Sequence, residues 1–585
     1  MTYQEAVARR EADDRSLGLA FLHTVQSGPR HTAIVDPTGS MSRVRLAAAA
    51  LSLRDLLDAE VSAARVGVLL PPGKGGTVVN LALALAGRTA VNLNHTAGEA
   101  QLKRMCEIAE ITTIITAQKY LDRLTDPPAL PGRVLLADLD LLPRVSKAKT
   151  LANMARLPLL SHGGLRKLDR GRSQDVATIV FSSGTTGDPK GIQLTHAQIL
   201  ANIESARTGL NLHQAHVLLT ALPLFHSFGL VPGFWLGLTN GVTISAFPNP
   251  RDPAAFGRHA EKTSATCMIS TPTFCRQYLK KVQPHQFATM QFAIVGAEKC
   301  PPELRVAFED RFKATLLEGY GCTELAPIVS ANLMDSAQAE PPDYSAKNAS
   351  IARGGAEGEI YAGPPARDGS VGRPLPGIEI LIVDPETLEE LPRGSEGLII
   401  VRSPARMLGY LKRDDLTDAA FVLDGYRTGD MGRLDEDGFL FITGRLARFA
   451  KLGGEMVPLD SVEEALDSYI RKNFPHDSGD SGAADDESDY EVAVAAVPDP
   501  AKGERLVLLY TALPCPVGDL LEQALAEYPA LFRPRPRDSY QVDELPVLGT
   551  GKRNLKGVKS LAEKMAAEGK TTQAKAGAST KKTGS

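Results

Sequence analysis

Short apolar, strand-like runs alternate with longer helix-like stretches between residues 1 and 445, and this alternation constrains the fold more than any other feature. The strand-like runs are 66–70, 111–116 and 176–181, and the helix-like stretches include 77–87 and 196–209. Strands that alternate with helices form parallel or mixed sheets whose faces are covered by helices. The sequence therefore predicts a mixed α/β fold, with a large N-terminal domain of packed β-sheets covered by helices.

The composition excludes several classes of protein. The chain has 65 Lys and Arg against 69 Asp and Glu, and a net charge of −4, which disfavours a nucleic-acid-binding protein. Its six cysteines form no CxxC pair, so we expect neither a disulfide framework nor a zinc site. The N-terminus lacks an apolar signal core, and the longest apolar stretches, such as 78–86, are too short to span a bilayer. We expect a cytoplasmic protein that lies at most on the inner face of the cytoplasmic membrane.

Three segments depart from the alternating pattern. Residues 335–370 are rich in Ala, Gly, Pro and Ser and are typical of an irregular insertion. Residues 476–491 hold seven acidic residues and no Lys or Arg. Because no EF-hand spacing is present, this run is interpreted as a solvated acidic loop rather than a calcium site. The Lys- and Ala-rich residues 563–585 are predicted to form a disordered tail.

Segment 141–172 is strongly basic. It holds eight Lys and Arg residues against the single acidic residue Asp169. Apolar residues recur among them at a spacing of three or four, as on one face of a helix: Val145, Ala148, Leu151, Ala152, Ala155 and Leu159. Such a helix either lies on an anionic membrane surface or packs on its own domain with a solvated basic side. The sequence leaves both interpretations open.

The strongest local signal for chemistry is the ten-residue string SSGTTGDPKG at 182–191, directly after a predicted strand and before the helix-like stretch 196–209. Glycines allow tight turns that point backbone N–H groups at an anion, and hydroxyls and a lysine add donors and charge. The string is not a Walker loop, because Gly191 follows Lys190. We predict that it cradles a polyphosphate. Its candidate binding residues are Ser182, Ser183, Gly184, Thr185, Thr186, Gly187 and Lys190.

This string, with the motifs that follow it, resembles the adenylate-forming superfamily of acyl-CoA synthetases, adenylation domains and luciferases. The resemblance covers roughly residues 20–562. Its other motifs are PLFHSFG at 223–229, GAE at 296–298, GYGCTE at 319–324, YRTGD at 426–430, GR at 444–445 with its continuation 451–457, and GTGK at 549–552. The resemblance implies an N-terminal domain, 1–445, which binds AMP and the acyl group, and a mobile C-terminal lid, 446–562. The lid carries the acidic insertion and a catalytic lysine.

The resemblance also implies roles for individual residues in binding ATP, Mg²⁺ and the acid. The implied nucleotide ligands are Thr185 and Lys190 for the outer phosphates, Thr323 for the α-phosphate, Tyr320 for adenine, Asp430 for ribose, and Arg445 for ribose or phosphate, with Gly296, Ala297, Glu298, Gly319, Gly321 and Lys451 beside them. Glu324 is the implied Mg²⁺ ligand, and Lys552 is implied to bridge the carboxylate and the α-phosphate.

Each of these residues also has a purely structural interpretation when taken singly. Glu324 fits the N-terminus of a helix, Asp430 fits a turn, and Tyr320 fits the core. His226 fits either a gate between the acyl and pantetheine pockets or a neutral core histidine. The hinge position of the family usually carries Asp or Lys, whereas this chain has Ala447. That difference puts the rate of the second, thioester-forming step in doubt.

The substrate implied by the resemblance is a fatty acid. Several motifs are similar to those of the acyl-ACP synthetase half of a bacterial acyltransferase/acyl-ACP synthetase, here expected to stand alone. Segment 221–240 has no acidic residue to hold an amino group, and its apolar residues fit either a tunnel or a helix core: Leu224, Phe225, Phe228, Leu230, Phe234, Trp235 and Leu236. The sequence leaves open whether CoA or acyl carrier protein accepts the acyl group. Either acceptor could be bound by the basic segment 141–172 or by the region around Arg445, Arg448 and Lys451.

Two alternatives compete with this interpretation. The first is an adenylation module of the peptide-synthetase type, although too few residues follow Lys552 for a carrier domain. The second is a non-catalytic, membrane-associated relative, which the intact set of motifs disfavours.

Overall fold

The computed structural model describes residues 1–124, 127–183, 189–334, 365–452, 455–474, 490–499, 503–547 and 553–579. Most of the predicted insertion 335–370 and of the acidic loop 476–491 lies outside these ranges. Three sheets form the N-terminal part of the described chain, and a fourth lies in the C-terminal part.

The first sheet has nine strands. They are β1 (Thr32–Asp36), β2 (Gly39–Ser42), β9 (Val217–Thr220), β10 (Thr243–Ala246), β11 (Cys267–Ser270), β12 (Phe292–Val295), β13 (Thr315–Gly321), β14 (Ile328–Ala331) and β15 (Arg373–Pro374). Their order across the sheet is β15-β14-β13-β12-β11-β9-β10-β1-β2, and the run from β13 to β1 is parallel. Strands such as β11 and β12 are buried along their whole length, as expected for parallel strands covered on both faces.

The second sheet has seven strands, and the third has five. The second contains β3 (Arg65–Val68), β4 (Thr89–Asn92), β5 (Thr113–Thr116), β6 (Arg133–Leu136), β7 (Val176–Ser183), β8 (Pro189–Thr195) and β18 (Gly409–Tyr410), in the order β18-β8-β7-β4-β3-β5-β6. The third contains β16 (Glu379–Val383), β17 (Gly397–Arg402), β19 (Phe421–Val422), β20 (Gly425–Leu434) and β21 (Leu440–Arg445).

Helices cover both large sheets. They are α1 (Tyr3–Ala12), α2 (Leu17–Ser27), α3 (Arg43–Glu60), α4 (Lys74–Leu85), α5 (Glu99–Ala109), α6 (Gln118–Leu121), α7 (Lys147–Arg156), α8 (His162–Arg166), α9 (His196–Gly209), α10 (Ser227–Leu230), α11 (Leu236–Asn240), α12 (Pro253–Thr263), α13 (Pro272–Lys281), α14 (Pro302–Phe312) and α15 (Asp414–Ala420). The largest core cluster takes side chains from α2, α3 and α4 and from both sheets, so the sheets share one apolar interior. The α/β alternation predicted from the sequence is therefore confirmed.

The C-terminal part is an α+β unit. Its sheet contains β22 (Phe449–Leu452), β23 (Glu455–Pro458), β24 (Val492–Asp499), β25 (Gly503–Tyr510) and β26 (Ser539–Gln541). Its helices are α16 (Leu459–Asn473), α17 (Val517–Ala524) and α18 (Leu555–Ser579). Helix α18 corrects the prediction of a disordered tail from residue 563, because the helix continues to Ser579. Its buried Val558, Ala562 and Ala566 recur every four residues and pack with β24 and β25.

The sequence predicts a helix just after the glycine-rich string, but in the structure a strand comes between them. It joins β7 to β8, which pair as an antiparallel hairpin with Ser182 opposite Lys190. Helix α9 begins only after β8, where the Thr195 side chain accepts a hydrogen bond from the backbone of Gln198. The loop is therefore held by two strands rather than by a strand and a helix N-terminus.

Segment 141–172 is not one helix. Helix α7 is followed by a 3₁₀ turn at Leu157–Leu159, and α8 starts at His162. The inward side of α7 carries Thr150 and Asn153, which both reach the Ser52 hydroxyl of α3, and Met154, which packs against the core. The apolar residues predicted to form the packed face are therefore mostly turned outward. Among the described helices, none is long and apolar enough to cross a membrane.

Candidate active site

A cavity of about 1320 Å³ lies at the carboxyl ends of β11, β12 and β13. Ligand sites of open α/β sheets form at this edge, because the loops that follow parallel strands converge there. The residues predicted from the sequence that line it are His226, Gly296, Ala297, Glu298, Gly319, Tyr320, Gly321 and Thr323. The structure thus brings together three motifs that are separated by up to a hundred residues in the chain.

The turn after β12 is strained. Ala297 has a left-handed backbone with φ +67°, which costs energy in a residue with a Cβ and is often found at functional sites. The neighbouring Glu298 carboxylate accepts hydrogen bonds from the Thr273 hydroxyl (2.6 Å) and backbone N–H (3.2 Å) at the start of α13. The Glu298 carboxylate therefore links this turn to α13.

Asp430 is the centre of a hydrogen-bonded triad that includes Tyr320 of the cavity lining. Its carboxylate is 6% exposed and accepts the Tyr320 hydroxyl at 2.5 Å and Arg445 Nε at 3.1 Å. Asp430 and Arg445 face each other across β20 and β21, and Tyr320 comes from β13. Burial raises the pKa of Asp430, whereas Arg445 and the Tyr320 hydroxyl oppose that rise. Burial and the neighbouring Asp430 charge raise the pKa of Tyr320 well above its usual value, so its hydroxyl stays a donor.

Glu324 forms a second buried acidic position. It lies in a 3₁₀ turn, Thr323–Leu325, and its Oε1 accepts the Tyr410 hydroxyl at 2.9 Å. The Tyr426 hydroxyl lies 3.2 Å from that of Tyr410, and burial raises the pKa of both tyrosines. Lys190 Nζ stands 5.2 Å from the centre of the Tyr410 ring. Tyr410 therefore connects Glu324 with the lysine of the glycine-rich string.

The donors at Glu324 fit a magnesium ion bound with a substrate phosphate. Mg²⁺ is usually held by one or two carboxylates together with phosphate oxygens, not by a cage of protein ligands. Among the described residues, no group of three or more His, Cys, Asp or Glu side chains is placed to hold a metal ion. A single buried carboxylate near the polyphosphate string is consistent with Mg²⁺ held by one carboxylate together with phosphate oxygens.

Motif 223–229 meets motif 319–324 through two hydroxyls. Ser227 Oγ lies 3.0 Å from Thr323 Oγ1, so the residue implied to bind the α-phosphate is held by a neighbour that sequence reasoning did not single out. His226 is exposed, lines the cavity and stacks its ring at a tilt on Phe225, with 4.8 Å between centroids. The alternative of a core histidine is therefore wrong.

The apolar residues around His226 were predicted to line a tunnel or to form a helix core, and the structure shows some in each role. Phe225, Phe228 and Leu236 line the cavity. The others are core side chains at 4% exposure or less: Leu224, Leu230, Phe234 and Trp235.

Several predicted residues lie outside the described part of the chain. These are Gly184, Thr185, Thr186, Gly187 and Lys552, and the side chains of Ser183, Ala447 and Lys451 are likewise not described. Ser182 is described in β7 opposite Lys190.

Buried charges organise the segment that joins the two parts. Arg448 binds Asp460 at 2.7 Å and Glu463 at 2.6 Å, and its side chain is 6% exposed. Arg553, next to Lys552, lies 3.8 Å from the same Glu463. Arg448 is thus paired and buried, which corrects the expectation that it meets an acceptor. Lys299 of the N-terminal part and Glu464 of α16 form an ion pair at 2.6 Å.

Comparison with known proteins gives consistent results. The chain matches the family described as AMP-binding enzyme over residues 21–411. It is 32% identical over 345 residues to the long-chain-fatty-acid–CoA ligase of Salmonella typhimurium, a match that covers 57% of this chain and 53% of that protein. The match thus spans about half the length of this curated relative. The chain is 27% identical over 449 residues to the sulfoacetate–CoA ligase of Cupriavidus necator, covering 76% of each.

Solved structures share the fold. An anthranilate CoA ligase in complex with anthranoyl-AMP superposes with a TM-score of 0.71 at 20% identity, over 95% of this chain and 98% of that one. ATP-bound MatB from Rhodopseudomonas palustris superposes with a TM-score of 0.69 at 22% identity, over 94% and 100%. These similarities confirm the predicted adenylate-forming fold.

The first prediction concerns the pH dependence of nucleotide binding. Replacing Arg445 with Gln removes the charge that opposes the burial-driven rise in the pKa of Asp430, so that pKa rises further. The ionised carboxylate, the form that accepts two hydroxyls, is then lost at a higher pH. We expect ATP affinity, normalised to its value at alkaline pH, to fall earlier on acidification in Arg445→Gln than in the unmodified chain. Arg433→Gln, on the same strand as Asp430, is the control, and identical normalised profiles for Arg445→Gln and the unmodified chain would contradict the role.

The second prediction concerns the two tyrosines. Tyr410→Phe removes the hydroxyl that binds Glu324, and a hydrogen bond to a charged group contributes about 1.5–3 kcal/mol. We expect this variant to lose about ten-fold or more in kcat/KM for ATP and to need more Mg²⁺ for half-maximal turnover. Tyr426→Phe is the matched control, because the recorded contact of its hydroxyl is with Tyr410 and not with the carboxylate. Equal losses in the two variants would contradict a special role for Tyr410.

Proposed function

Because this chain belongs to the family of AMP-binding enzymes, we propose that it is an ATP-dependent ligase that joins a fatty acid to a thiol. In the proposed reaction a medium- or long-chain carboxylate is first activated as acyl-AMP, with release of pyrophosphate. The acyl group then passes to a pantetheine thiol. The support comes from the polar end of the cavity, which suits a nucleotide, and from its apolar floor, which suits a hydrocarbon chain.

The polar end meets the needs of the first step. A carboxylate that attacks the α-phosphate of ATP brings two negative groups together, so the site has to supply positive charge and hold them in line. Lys190 lies beside the Glu324–Tyr410 pair, and Thr323 is fixed by Ser227. Asp430 presents a buried acceptor for ribose hydroxyls, and Lys552 is the proposed bridge between carboxylate and α-phosphate. Bound Mg²⁺, held by Glu324, would neutralise phosphate charge.

The apolar floor is the observation that carries the choice of substrate. Leu218, Cys267 and Phe292 stand side by side in register on three neighbouring strands, β9, β11 and β12. Two residues further along, Ile269 and Ile294 form a second row on the same face. All five line the cavity.

The direction of this floor fits an extended acyl chain. The rows lead from Gly296, at the nucleotide end of β12, down to Phe292. Four residues of strand span about 13 Å, the reach of a medium-chain hydrocarbon. Leu210 and Leu212 add further apolar side chains to the lining. The floor therefore suits an aliphatic chain whose carboxylate points to Thr323.

The same lining argues against an amino acid substrate. Among the described residues that line the cavity, Glu298 is the only acidic one, and its carboxylate is bonded to Thr273. An ammonium group buried beside the floor would lack a counter-ion, which is costly in an apolar site. An adenylation module of the peptide-synthetase type is therefore less well supported than a fatty acid ligase.

We propose CoA as the first acceptor to test and acyl carrier protein as the second. CoA is named in the description of the ligase relatives, whereas the carrier protein rests on motif similarity alone. Both present the same pantetheine thiol, so the acyl site described above serves either acceptor.

The experiment measures AMP release from ATP with a panel of acids and with CoA or acyl carrier protein as acceptor. We expect AMP release with fatty acids and with at least one acceptor, and loss of acyl-adenylate formation in Lys552→Ala, scored by pyrophosphate exchange. AMP release with amino acids alone would overturn the fatty acid proposal. A complete lack of turnover would favour a non-catalytic binding protein.

The third prediction follows from the direction of the floor. Cys267 lies one row deeper than Ile269, so Cys267→Phe blocks the floor further from the nucleotide than Ile269→Phe does. We expect Cys267→Phe to raise KM at least about ten-fold for palmitate while sparing hexanoate, and Ile269→Phe to impair both. Melting temperatures identify any general loss of packing. Equal effects on both acids in Cys267→Phe would contradict this path for the chain.

A further inference from the structure

Four leucines around helix α7 are unusually exposed for their size. The exposed fractions are 58% for Leu139, 55% for Leu142, 65% for Leu151 and 85% for Leu159. They lie within one short stretch, and Ala148, Ala152 and Ala155 of α7 are exposed as well. Clustered exposed apolar side chains mark interaction sites more often than isolated ones do. We call residues 139–167 with these side chains the leucine–lysine surface.

The packing of α7 explains why these side chains face outward. Its inward side is anchored by Thr150 Oγ1 at 3.0 Å from the Ser52 hydroxyl, and by Asn153 Nδ2 at 3.4 Å from the same oxygen. Leu157, directly after the helix, is fully buried. Positions 148, 151, 152 and 155 then fall together on the opposite side, because they are spaced three or four apart.

The charge around these leucines is positive. The surface, residues 139–167, contains six Lys and Arg residues against the single acidic residue Asp140. In the described part of the chain, no carboxylate lies within ion-pair distance of Lys147, Lys149, Arg156 or Lys167, all of which are exposed.

The neighbouring acids already have partners within the chain, arginines for two of them and backbone N–H groups for the other two. On α3, Glu60 binds Arg133 at 2.8 Å and Arg144 at 2.5 Å, and Asp58 binds Arg170 at 2.6 Å. Asp138 accepts the backbone N–H groups of residues 118 and 119, and Asp140 accepts that of Leu136. The lysines of the surface are thus left to meet an external anion.

We propose that the leucine–lysine surface docks on an anionic lipid bilayer. Short interfacial helices bind membranes by burying apolar side chains among the acyl chains while flanking cations meet the headgroups. Exposed leucines on a short helix with cations beside them suit insertion between lipids. An acidic carrier protein would use the cations but leave the leucines in water, so lipid is the better match.

The surface is connected to the cavity. The Asp138 carboxylate, in the turn that carries Leu139, caps the N-terminus of α6 at 2.8 Å from Gln118 N. Tyr120 of α6 and the following Arg123 and Leu124 line the cavity, and Arg123 is exposed at its rim. Docking through the surface therefore holds this rim beside the bilayer. The consequence for substrate entry rests on the proposed fatty acid ligase function; the docking itself does not.

The fourth prediction is that the full chain co-sediments with vesicles of phosphatidylglycerol and phosphatidylcholine, but weakly with phosphatidylcholine alone. High salt weakens the binding, because exposed charges are screened. Each lysine near such a surface contributes roughly five-fold, so Lys147→Glu/Lys149→Glu lowers partitioning about thirty-fold or more. Leu151→Ser/Leu159→Ser lowers it about ten-fold or more.

Matched controls distinguish binding through this surface from a general effect of charge or of exposed apolar side chains. Lys280→Glu/Lys281→Glu on α13 carries the same charge change, and Val306→Ser removes another half-exposed apolar side chain, so both bind as the unmodified chain does. Absence of vesicle binding, unchanged binding in the surface variants, or binding to an acidic carrier protein alone would each overturn the proposal.

An activity measurement keeps the two proposals apart. With palmitate supplied in anionic vesicles, the surface variants turn over more slowly, whereas with soluble hexanoate they match the unmodified chain. If the unmodified chain turns over neither acid but still binds vesicles, the proposed ligase function is overturned and the proposed docking stands. Equal turnover of vesicle-borne palmitate by all variants would overturn the link to substrate entry.

Discussion

A carboxylate removed from water has to be held by a cation or by hydrogen bonds, and the site of this protein is organised around two such groups. Asp430 is held by Tyr320 and Arg445, and Glu324 by the Tyr410 hydroxyl. Each pairing draws strands from different sheets to one edge. The two acids therefore position the cavity walls as well as the chemistry that those walls are proposed to perform.

The apolar floor lies on other strands, β9, β11 and β12 of the nine-stranded sheet. In a parallel sheet, residues in register form rows across neighbouring strands, and the same face recurs every second residue. The rows Leu218–Cys267–Phe292 and Ile269–Ile294 lead away from the glycine-rich turns at the carboxyl ends. A polar head and an aliphatic tail can thus lie along one continuous groove, which is the arrangement that an activated fatty acid requires.

On the outer surface, helix α7 leaves apolar side chains exposed next to lysines. Helix α7 is fixed to α3 by polar contacts to Ser52, so its leucines remain in water next to unpaired lysines. Exposed leucine is unfavourable unless something covers it. The proposed lipid partner accounts for the leucines and the lysines together, and the Asp138 cap joins that surface to the cavity rim.

The alternation of strand and helix, and the glycine-, hydroxyl- and acid-bearing motifs, are local patterns, so the sequence alone was enough to predict the fold class and the residues of motifs 223–229, 296–298 and 319–324 that line the cavity. The apolar floor on β9, β11 and β12 was not predicted, because only the register of the sheet places its residues side by side. Tyr410 was missed because nothing in its own neighbourhood marks it. Ser227 lies inside motif 223–229, yet the motif does not show which of its residues contacts Thr323; only packing sets Tyr410 beside Glu324 and Ser227 beside Thr323. Periodicity showed that 141–159 has two faces, yet not which one points inward. That choice is made by tertiary contacts, since Thr150 and Asn153 bind the hydroxyl of Ser52, about a hundred residues earlier, and Met154 and Leu157 pack on the core.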